Sequence, residues 1–237
     1  MEIEFVKGAP ALFVRREKML VIGDLHVGRD TLLAKSGIHM PDANERLIAS
    51  ILSLAEQTGA KGIAMLGDVK ESIGYPPKEE YEELSRLFYE LREIPITIAK
   101  GNHDARIAEI IKRLSANAIV VKELLLDSVA LMHGDAFPSQ EAMTKDWIIT
   151  GHSHPAMEIG GRLEKVFVVS KVSSSASRMY KRYNKKAKIV VMPAFNELIS
   201  GSDPALLKDF SPQFKRKVFE TRKARIYNLD KELVAKL

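Results

Sequence analysis

The sequence predicts an α/β protein, a fold class in which β-sheets pack against helices. Short apolar segments rich in β-branched residues alternate along the 237-residue chain with segments of helical periodicity. No internal repeat and no long Pro- or Ser-rich linker interrupts this alternation. A chain of this length buries roughly 70–75% of the surface that it exposes when extended, so one large core can form. We therefore expect a single domain over residues 1–237.

Seven strands are expected where short apolar runs are bounded by glycine, proline or polar residues. They cover residues 19–22, 62–66, 94–99, 129–132, 147–150, 166–169 and 189–192. Since the polar motifs described below fall within residues 23–155, we expect the remaining segment, 158–237, to complete the fold.

Three helices are expected between these strands. The first covers residues 42–58, where Asp42 is the predicted N-cap, Glu45 completes a capping-box spacing and one face is apolar. The second covers residues 78–92 and the third begins after Asp104. The second helix starts with an acidic run that we interpret as solvated: Glu79, Glu80, Glu82 and Glu83.

The composition excludes several classes of protein. The chain has no cysteine, so disulfides, zinc ribbons and a cysteine nucleophile are excluded, and a metal site must use oxygen and imidazole ligands. The first residues lack a basic start followed by an apolar run, and no segment reaches the ~18–20 apolar residues of a membrane span. We therefore expect a cytoplasmic protein that does not insert into membranes. The sequence leaves the oligomeric state open.

Positive charge is concentrated in the C-terminal third of the chain. Residues 158–237 carry 18 basic and 8 acidic side chains, whereas residues 1–157 carry 18 basic and 23 acidic ones. Tyr180 and Tyr183 interrupt its densest basic run, which is Arg178, Lys181, Arg182, Lys185, Lys186 and Lys188. Such a run is typical of surfaces that contact nucleic acid, but solvated basic edges look the same. Both interpretations stay open, and the solvated edge is preferred.

Polar residues follow five of the predicted strands at the point where each strand ends. The five segments are Gly23-Asp24-Leu25-His26, Gly67-Asp68, Gly101-Asn102-His103-Asp104, His133-Gly134-Asp135 and Gly151-His152-Ser153-His154. Because strand carboxyl ends line up along one edge of an α/β sheet, we expect these side chains to converge. Residues i and i+2 of an extended chain point the same way, so Asp24 should pair with His26, and His152 with His154.

Five of the six histidines lie in these segments, and only His39 lies outside them. Imidazoles and carboxylates crowded at one edge need a neutralising cation, and mixed Asp, His and Asn donors suit Mn, Zn, Fe or Ni. Seven candidate donors exceed the ligands of one ion, so we expect two ions that share a carboxylate. The alternative for any single segment is an ordinary turn with satisfied side chains.

The five segments, in this order, resemble the pattern of the calcineurin-like metallophosphoesterases. The sequence Gly-Asp-Leu-His-Val-Gly at 23–28 and Met-Pro-Ala-Phe-Asn at 192–196 is similar to archaeal phosphoesterases related to the SbcD nuclease. The resemblance implies a sandwich of two mixed β-sheets flanked by helices. It also implies two metal sites: Asp24, His26 and His154 for one ion, Asn102, His133 and His152 for the other, and Asp68 as the bridge.

The same resemblance implies hydrolysis of a phosphate ester, with manganese as the first choice of metal and zinc, iron or nickel as alternatives. His103 would protonate the leaving group as general acid, with Asp104 as its orienting partner. A phosphodiester is the first choice of substrate, and a nuclease is the sharper form of this hypothesis. Phosphomonoester hydrolysis is the alternative. A noncatalytic scaffold on the same fold is disfavoured, since a scaffold need not retain His103 beside all seven donors.

Other polar residues are expected to be structural. Arg29 should face solvent with a local partner such as Asp30, and His39 should be exposed or structural. The loop that contains Tyr75 should begin a helix rather than cover the site. The sequence assigns no role to Lys70, Glu71 or Asn196.

Overall fold

The N-terminal half of the chain forms a six-stranded mixed sheet. The computed structural model describes residues 2–237. In sheet order the strands are β1 (Ile3–Phe5), β2 (Leu12–Val14), β3 (Met19–Ile22), β4 (Gly62–Met65), β5 (Ile96–Ala99) and β6 (Ala118–Val121). β1, β2 and β3 pair antiparallel, whereas β3 to β6 pair in parallel. The carboxyl ends of β3, β4 and β5 therefore share one edge.

The rest of the chain forms a seven-stranded sheet and a separate hairpin. Its strands are β7 (Leu124–Leu125), β8 (Val129–Met132), β9 (Trp147–Thr150), β10 (Ala156–Ile159), β11 (Arg162–Lys165), β12 (Phe167–Lys171), β13 (Lys188–Val191), β14 (Arg225–Tyr227) and β15 (Leu233–Lys236). The sheet order is β15-β14-β12-β13-β9-β8-β7, and β10 pairs with β11. β8, β9 and β13 are parallel. The segment after residue 158 thus supplies four of the seven strands, although a single folding unit over 1–237 stays a prediction.

Helices cover the first sheet, and short helical turns cover the second. They are α1 (Arg29–Ala34), α2 (Ala43–Thr58), α3 (Lys78–Glu90), α4 (Ile107–Leu114), α5 (Leu207–Phe210) and α6 (Pro212–Lys215). Among residues 2–237, no helix combines the length and apolar character that a membrane crossing requires.

All seven predicted strands and three predicted helices are confirmed, with bounds that shift by three residues at most. The predicted capping box at the start of α2 is wrong. Asp42 has a left-handed backbone (φ 58°), and its side chain caps no backbone N–H group. An N-cap normally has an extended backbone that aims the carboxylate into the first turn. Glu45 instead pairs with Arg86 of α3.

The apolar residues form three layers, which confirms the mixed-sheet α/β architecture. One cluster joins the first sheet to α2, α3 and α4, and includes Ile51 and Leu87. A second lies between the two sheets, where Leu66 and Ile149 meet. A third covers the outer face of the second sheet and includes Phe214. The two sheets therefore stack face to face, and the ends of their strands lie side by side.

Two predictions about polar surfaces are wrong. Glu80 of the acidic run is buried, and its carboxylate accepts hydrogen bonds from the Ser72 N–H (3.0 Å) and hydroxyl (2.9 Å). Tyr180 of the basic run is also buried, and its hydroxyl donates to the Pro138 carbonyl (2.9 Å). Since Tyr180 packs in the core of the second sheet, it offers no face on which a base can stack.

Candidate metal centre

The predicted donor side chains converge where the two sheets meet. Asp24 and His26 follow β3, Asp68 follows β4, Asn102 and His103 follow β5, His133 follows β8, and His152 and His154 follow β9. We call these eight side chains the rim. Most of their donor atoms fall into three groups, each with all atoms within 4.8 Å of one another: Asp24, His26 and His154; His26, Asp68 and His103; and Asp68, His133 and His152.

Asp68 and His26 each belong to two of these groups, so they connect all three. Asp68 Oδ2 lies 3.3 Å from His133 Nε2 and 3.8 Å from His26 Nε2. Asn102 lies beside the group that contains His133, since its Oδ1 is 3.1 Å from His133 Nε2. Asp68 is thus the one carboxylate that two of the groups share.

The backbone of the rim is strained at five positions. Asp24, His26, Asp68, His152 and His154 all have φ between 41° and 69°, the left-handed region that residues other than glycine rarely occupy. Such strain clusters at functional sites, where the surrounding structure maintains it.

This backbone conformation changes which side chains pair. The extended-chain argument is wrong, because the chain turns at each of these residues. Asp24 does share a group with His26, but its shortest ion pair crosses to His154 (Oδ1 to Nε2, 3.1 Å). His152 and His154 fall into different groups, and His152 Nδ1 faces His133 Nε2 at 3.1 Å.

Two glycines let the carboxylates approach the backbone of the neighbouring strand end. A Cβ on Gly101 would collide with the carboxylate of Asp68, and one on Gly151 would collide with that of Asp24. Instead, the N–H of His103 donates to Asp68 Oδ1 (2.8 Å) and the N–H of His152 donates to Asp24 (3.0 Å). These contacts aim the remaining carboxylate oxygens into the rim.

Backbone carbonyls hold three of the histidine rings in place. His133 Nδ1 contacts the Leu66 carbonyl (2.7 Å), His103 Nδ1 the Glu71 carbonyl (2.5 Å) and His152 Nε2 the Phe210 carbonyl (3.2 Å). Metal-ligating histidines typically use one nitrogen in this way, which fixes the tautomer and leaves the other nitrogen for the metal. Phe210 was not predicted, because nothing in the local sequence relates α5 to His152.

The remaining two rim histidines have nitrogen atoms without hydrogen bonds. Both ring nitrogens of His26 and Nε2 of His154 are buried and make no hydrogen bond of good geometry within residues 2–237. Buried polar atoms are normally satisfied, so each such atom needs a partner. Imidazole nitrogens grouped with carboxylate oxygens are suitable donors for divalent transition metals. The residues present therefore fit a divalent metal centre.

The charges of the rim are strongly coupled. Burial opposes a charge on His133, but its hydrogen bond to Asp68 and the nearby carboxylates outweigh burial and raise the pKa of His133 to about 9. Conversely, the imidazoles outweigh burial and lower the pKa of Asp24 and of Asp68. Burial and the charge of His133 lower the pKa of His152. The carboxylates are thus held ionised and ready to neutralise a cation.

Glu71 contacts both His26 of the rim and Arg29 outside it, and the sequence did not predict this role. Its Oε2 lies 2.9 Å from His26 Nδ1, and its Oε1 accepts from Arg29 Nη1 (2.9 Å). Although burial opposes ionisation, His26 and Arg29 lower the pKa of Glu71. The prediction that Arg29 pairs with Asp30 is therefore wrong, because its partner is Glu71. The available signal was the position of Glu71, three residues after Asp68.

Asp104 does not contact the His103 ring as expected. Its buried carboxylate accepts hydrogen bonds from the N–H groups of Gly101 (2.8 Å) and Val69 (2.9 Å). The orienting partner of the ring is the Glu71 carbonyl. Asp104 instead joins the loops that follow β4 and β5.

The other residues considered from the sequence surround the rim or lie away from it. Lys70 is fully buried, and its Nζ donates to the carbonyls of His103 (2.6 Å) and Gly74 (2.8 Å). Asn196 donates to the Leu25 carbonyl (2.7 Å). His39 is exposed, and Tyr75 stacks on Tyr81 (ring centroids 6.2 Å apart). The preferred structural interpretations of His39 and Tyr75 agree with these positions.

The fold and the rim together define a class of protein: two-sheet α/β sandwiches with clustered His and Asp donors at the strand ends. A sequence model described as the calcineurin-like phosphoesterase superfamily domain matches residues 18–174. The chain belongs to this superfamily of hydrolases that act on phosphoester bonds, and the resemblance predicted from the motifs is confirmed. A comparison with curated proteins gave no match.

Solved structures with the same overall fold include a nuclease, MPE, from Pseudomonas putida. It is 17% identical, with a TM-score of 0.62, and the match covers 93% of this chain and 89% of the nuclease. The phosphoesterase YfcE from E. coli is 16% identical, with a TM-score of 0.37, over 92% of this chain and 97% of that protein. At these identities the likeness to the nuclease concerns the fold alone.

Proposed function

We propose that the protein is a phosphodiesterase that requires two divalent metal ions. In this proposal Asp24, His26 and His154 hold one ion, Asn102, His133 and His152 hold the other, and Asp68 bridges them. The observation that carries it is the grouping of the rim donors, in which Asp68 is the carboxylate shared by two groups and the buried nitrogens of His26 and His154 make no hydrogen bond of good geometry. Two ions held there would stabilise the charge of a phosphoryl group and activate water for attack on phosphorus.

His103 is the proposed general acid of the reaction. Its ring lies in the same group as His26 and Asp68, and its Nδ1 is held by the Glu71 carbonyl. The other ring nitrogen, Nε2, is therefore the atom that would hold the proton and donate it to the leaving oxygen. An alkoxide is a poor leaving group, so a positioned proton donor speeds its departure.

A cleft beside the rim favours diesters over monoesters. It has a volume of about 560 Å³ and opens next to Asn102 and His133. Val120, Val121 and Met132 supply an apolar wall, and the charged residues that line the cleft are Lys100, Lys122, Glu123 and Asp135. A diester carries a second ester substituent that needs such a space, whereas a monoester carries only one. Phosphomonoester hydrolysis is the second candidate, because the rim alone accepts either substrate.

Metal content and substrate preference test the proposal together. We expect about two manganese ions per chain after metal loading and gel filtration. The loaded protein should hydrolyse a chromogenic diester faster than the corresponding monoester, and EDTA should abolish turnover. Absence of bound metal by elemental analysis contradicts the metal centre, whereas metal binding with monoester preference favours the second candidate. Oligonucleotides in the same panel test the nuclease form.

The His103→Gln variant tests the proton donor separately. We expect metal content to be retained and diester turnover to fall about 10²- to 10⁴-fold, as for the loss of a general acid. A substrate with a nitrophenolate leaving group needs less protonation and should be less affected than an alkyl ester. Equal losses on both substrates would exclude a role in protonation.

A further inference from the structure

A second charged site lies at the opposite end of the sandwich from the rim. It is a groove of about 440 Å³ whose cationic residues are Lys171, Lys188, Lys223, Arg225 and Lys231. We call it the basic groove. No acidic side chain lines it. Trp147 and Lys188 begin β9 and β13 and face each other in register, whereas the rim follows the carboxyl end of β9. The groove therefore contributes nothing to the proposed metal centre.

The cations of the basic groove are not neutralised by the protein. All five are exposed, and none makes a salt bridge to any of residues 2–237 within 4.0 Å. Elsewhere on the surface, arginines such as Arg15 and Arg113 do pair with carboxylates. Five adjacent cations without a counterion repel one another, so an anion that spans them is attracted from solution.

Two of these lysines occupy unfavourable backbone positions. Lys223 and Lys231 have φ of 70° and 66°, where glycine or asparagine would be less strained. The charge is therefore present at the groove despite a local conformational penalty.

Aromatic side chains are interleaved with the cations. Phe5, Trp147 and Tyr227 line the groove and are partly exposed. Lys188 Nζ lies 4.5 Å from the Trp147 ring centroid, and Lys231 Nζ lies 5.5 Å from that of Phe5. Alternating cations and aromatic rings match the alternation of phosphates and bases along a single strand of nucleic acid. A duplex keeps the faces of its bases stacked on one another, so they cannot stack on these rings.

From this charge and ring pattern, we infer that the basic groove binds single-stranded nucleic acid, separately from the metal centre. This differs from the basic run predicted from the sequence, since only Lys188 belongs to both. The inference does not depend on the proposed function, because it concerns binding at the other end of the molecule.

Trp147 is the only tryptophan in the chain, so its fluorescence reports on the groove directly. The experiment titrates the full-length protein in EDTA with oligo(dT) of about ten nucleotides, which excludes metal-dependent hydrolysis. We expect the fluorescence of Trp147 to be quenched. We also expect the logarithm of the binding constant to fall with the logarithm of the salt concentration with a slope of about −2, as for three phosphate contacts on a single strand. No quenching, or a flat salt dependence, overturns the inference, and neither measurement requires a variant.

Matched triple variants locate the binding surface. The variant Lys171→Gln, Lys188→Gln, Arg225→Gln should bind oligo(dT) about tenfold or more weakly. The control Lys181→Gln, Lys185→Gln, Lys186→Gln loses the same charge from the basic run and should change affinity less than about twofold. Equal losses in both variants would mean unspecific charge attraction and overturn the assignment. So would equal binding of a duplex of the same length, or quenching by anionic phospholipid vesicles but not by oligo(dT).

Discussion

The two ends of the stacked sheets carry opposite kinds of polar surface. At the carboxyl ends of the parallel strands, His133 and His152 lie among carboxylates, and every charge faces one of opposite sign or an imidazole. At the amino ends, the charged side chains that line the groove around Trp147 and Lys188 are all cations. The first end groups metal-type donors, which suit a cation, whereas the second groups positive charge, which suits an anion. In the two proposals above, the same strands present two ligand sites with different chemistry.

Backbone strain separates the two ends as well. At the rim, five donors are left-handed and are held by hydrogen bonds to carboxylates or carbonyls from other strands. Of the residues that line the basic groove, only the turn residues Lys223 and Lys231 are left-handed, and neither forms a salt bridge within residues 2–237. The rim is therefore preorganised, while the groove cations are free to adapt to a ligand.

The largest expected effect comes from removing the shared carboxylate of the rim. Asp68→Asn keeps the size of the side chain but removes the charge that would hold both ions. We expect diester turnover to fall by at least about 10³-fold, with loss of tightly bound metal. Elemental analysis and initial rates measure both effects. Asp127→Asn is the control, because Asp127 is an exposed carboxylate away from the rim. Two ions retained by Asp68→Asn would contradict the bridging role.

A smaller effect is expected from Glu71, which orients rim side chains without belonging to the rim. Glu71→Gln removes the charge that faces His26 Nδ1 while leaving the backbone carbonyl that holds His103. Loss of such an outer partner typically lowers metal affinity about 10- to 100-fold. Competition with a chelator should show this weakening, and excess metal should restore turnover. Arg29→Gln leaves the contact between Glu71 and His26 intact and should weaken metal binding less. An equal weakening would mean that the ion pair between Arg29 and Glu71, rather than the contact with His26, supports metal binding.

The sequence predicted the donors of the rim better than the residues that hold these donors in place. Each predicted donor lies just after a short apolar strand and within three residues of a glycine, which are local signals, and the order of the motifs carried the family resemblance. The residues that hold the donors in place come from distant parts of the chain. Phe210 reaches His152 across 58 residues, and Gln213 Nε2 donates to the Gly134 carbonyl (3.1 Å) next to His133. No local periodicity encodes such contacts.

Burial of polar residues was the other failure of sequence reasoning. Lys70, Glu80 and Tyr180 all look like surface residues, yet each is buried with its polar atoms satisfied by the backbone. The sequence located the excess positive charge in residues 158–237 but not the groove, because the cations of the groove come from β12, β13, β14 and two turns that are separate in the sequence. Only the sheet order brings them together.

A carboxyl group behind the rim should make stability depend on pH. Burial and the nearby charge of Asp30 raise the pKa of Glu83 to about 7. A raised folded-state pKa stabilises the fold below the unfolded value of 4.5, and this contribution is lost as the pH rises through about 7. Glu83→Gln should therefore be more stable than the parent protein at pH 8 by about 1 kcal/mol, a value discounted for solvent screening.

Urea denaturation at pH 5 and pH 8 measures this difference. The exposed neighbour Glu82→Gln is the matched control and should change neither midpoint by much. If the gain of Glu83→Gln is the same at both pH values, its cause is packing rather than ionisation.

The smallest expected effect tests whether the two ends act independently. Trp147 and Thr150 span β9, which is roughly 10 Å long, so the groove lies about one Debye length or more from the rim at 0.1 M salt. Charges at that separation are largely screened, and no groove residue belongs to the rim. The groove variant Lys171→Gln, Lys188→Gln, Arg225→Gln should therefore hydrolyse a small chromogenic diester within about twofold of the parent rate. A tenfold change in kcat at 0.1 M salt would contradict this independence and show that the two ends are coupled.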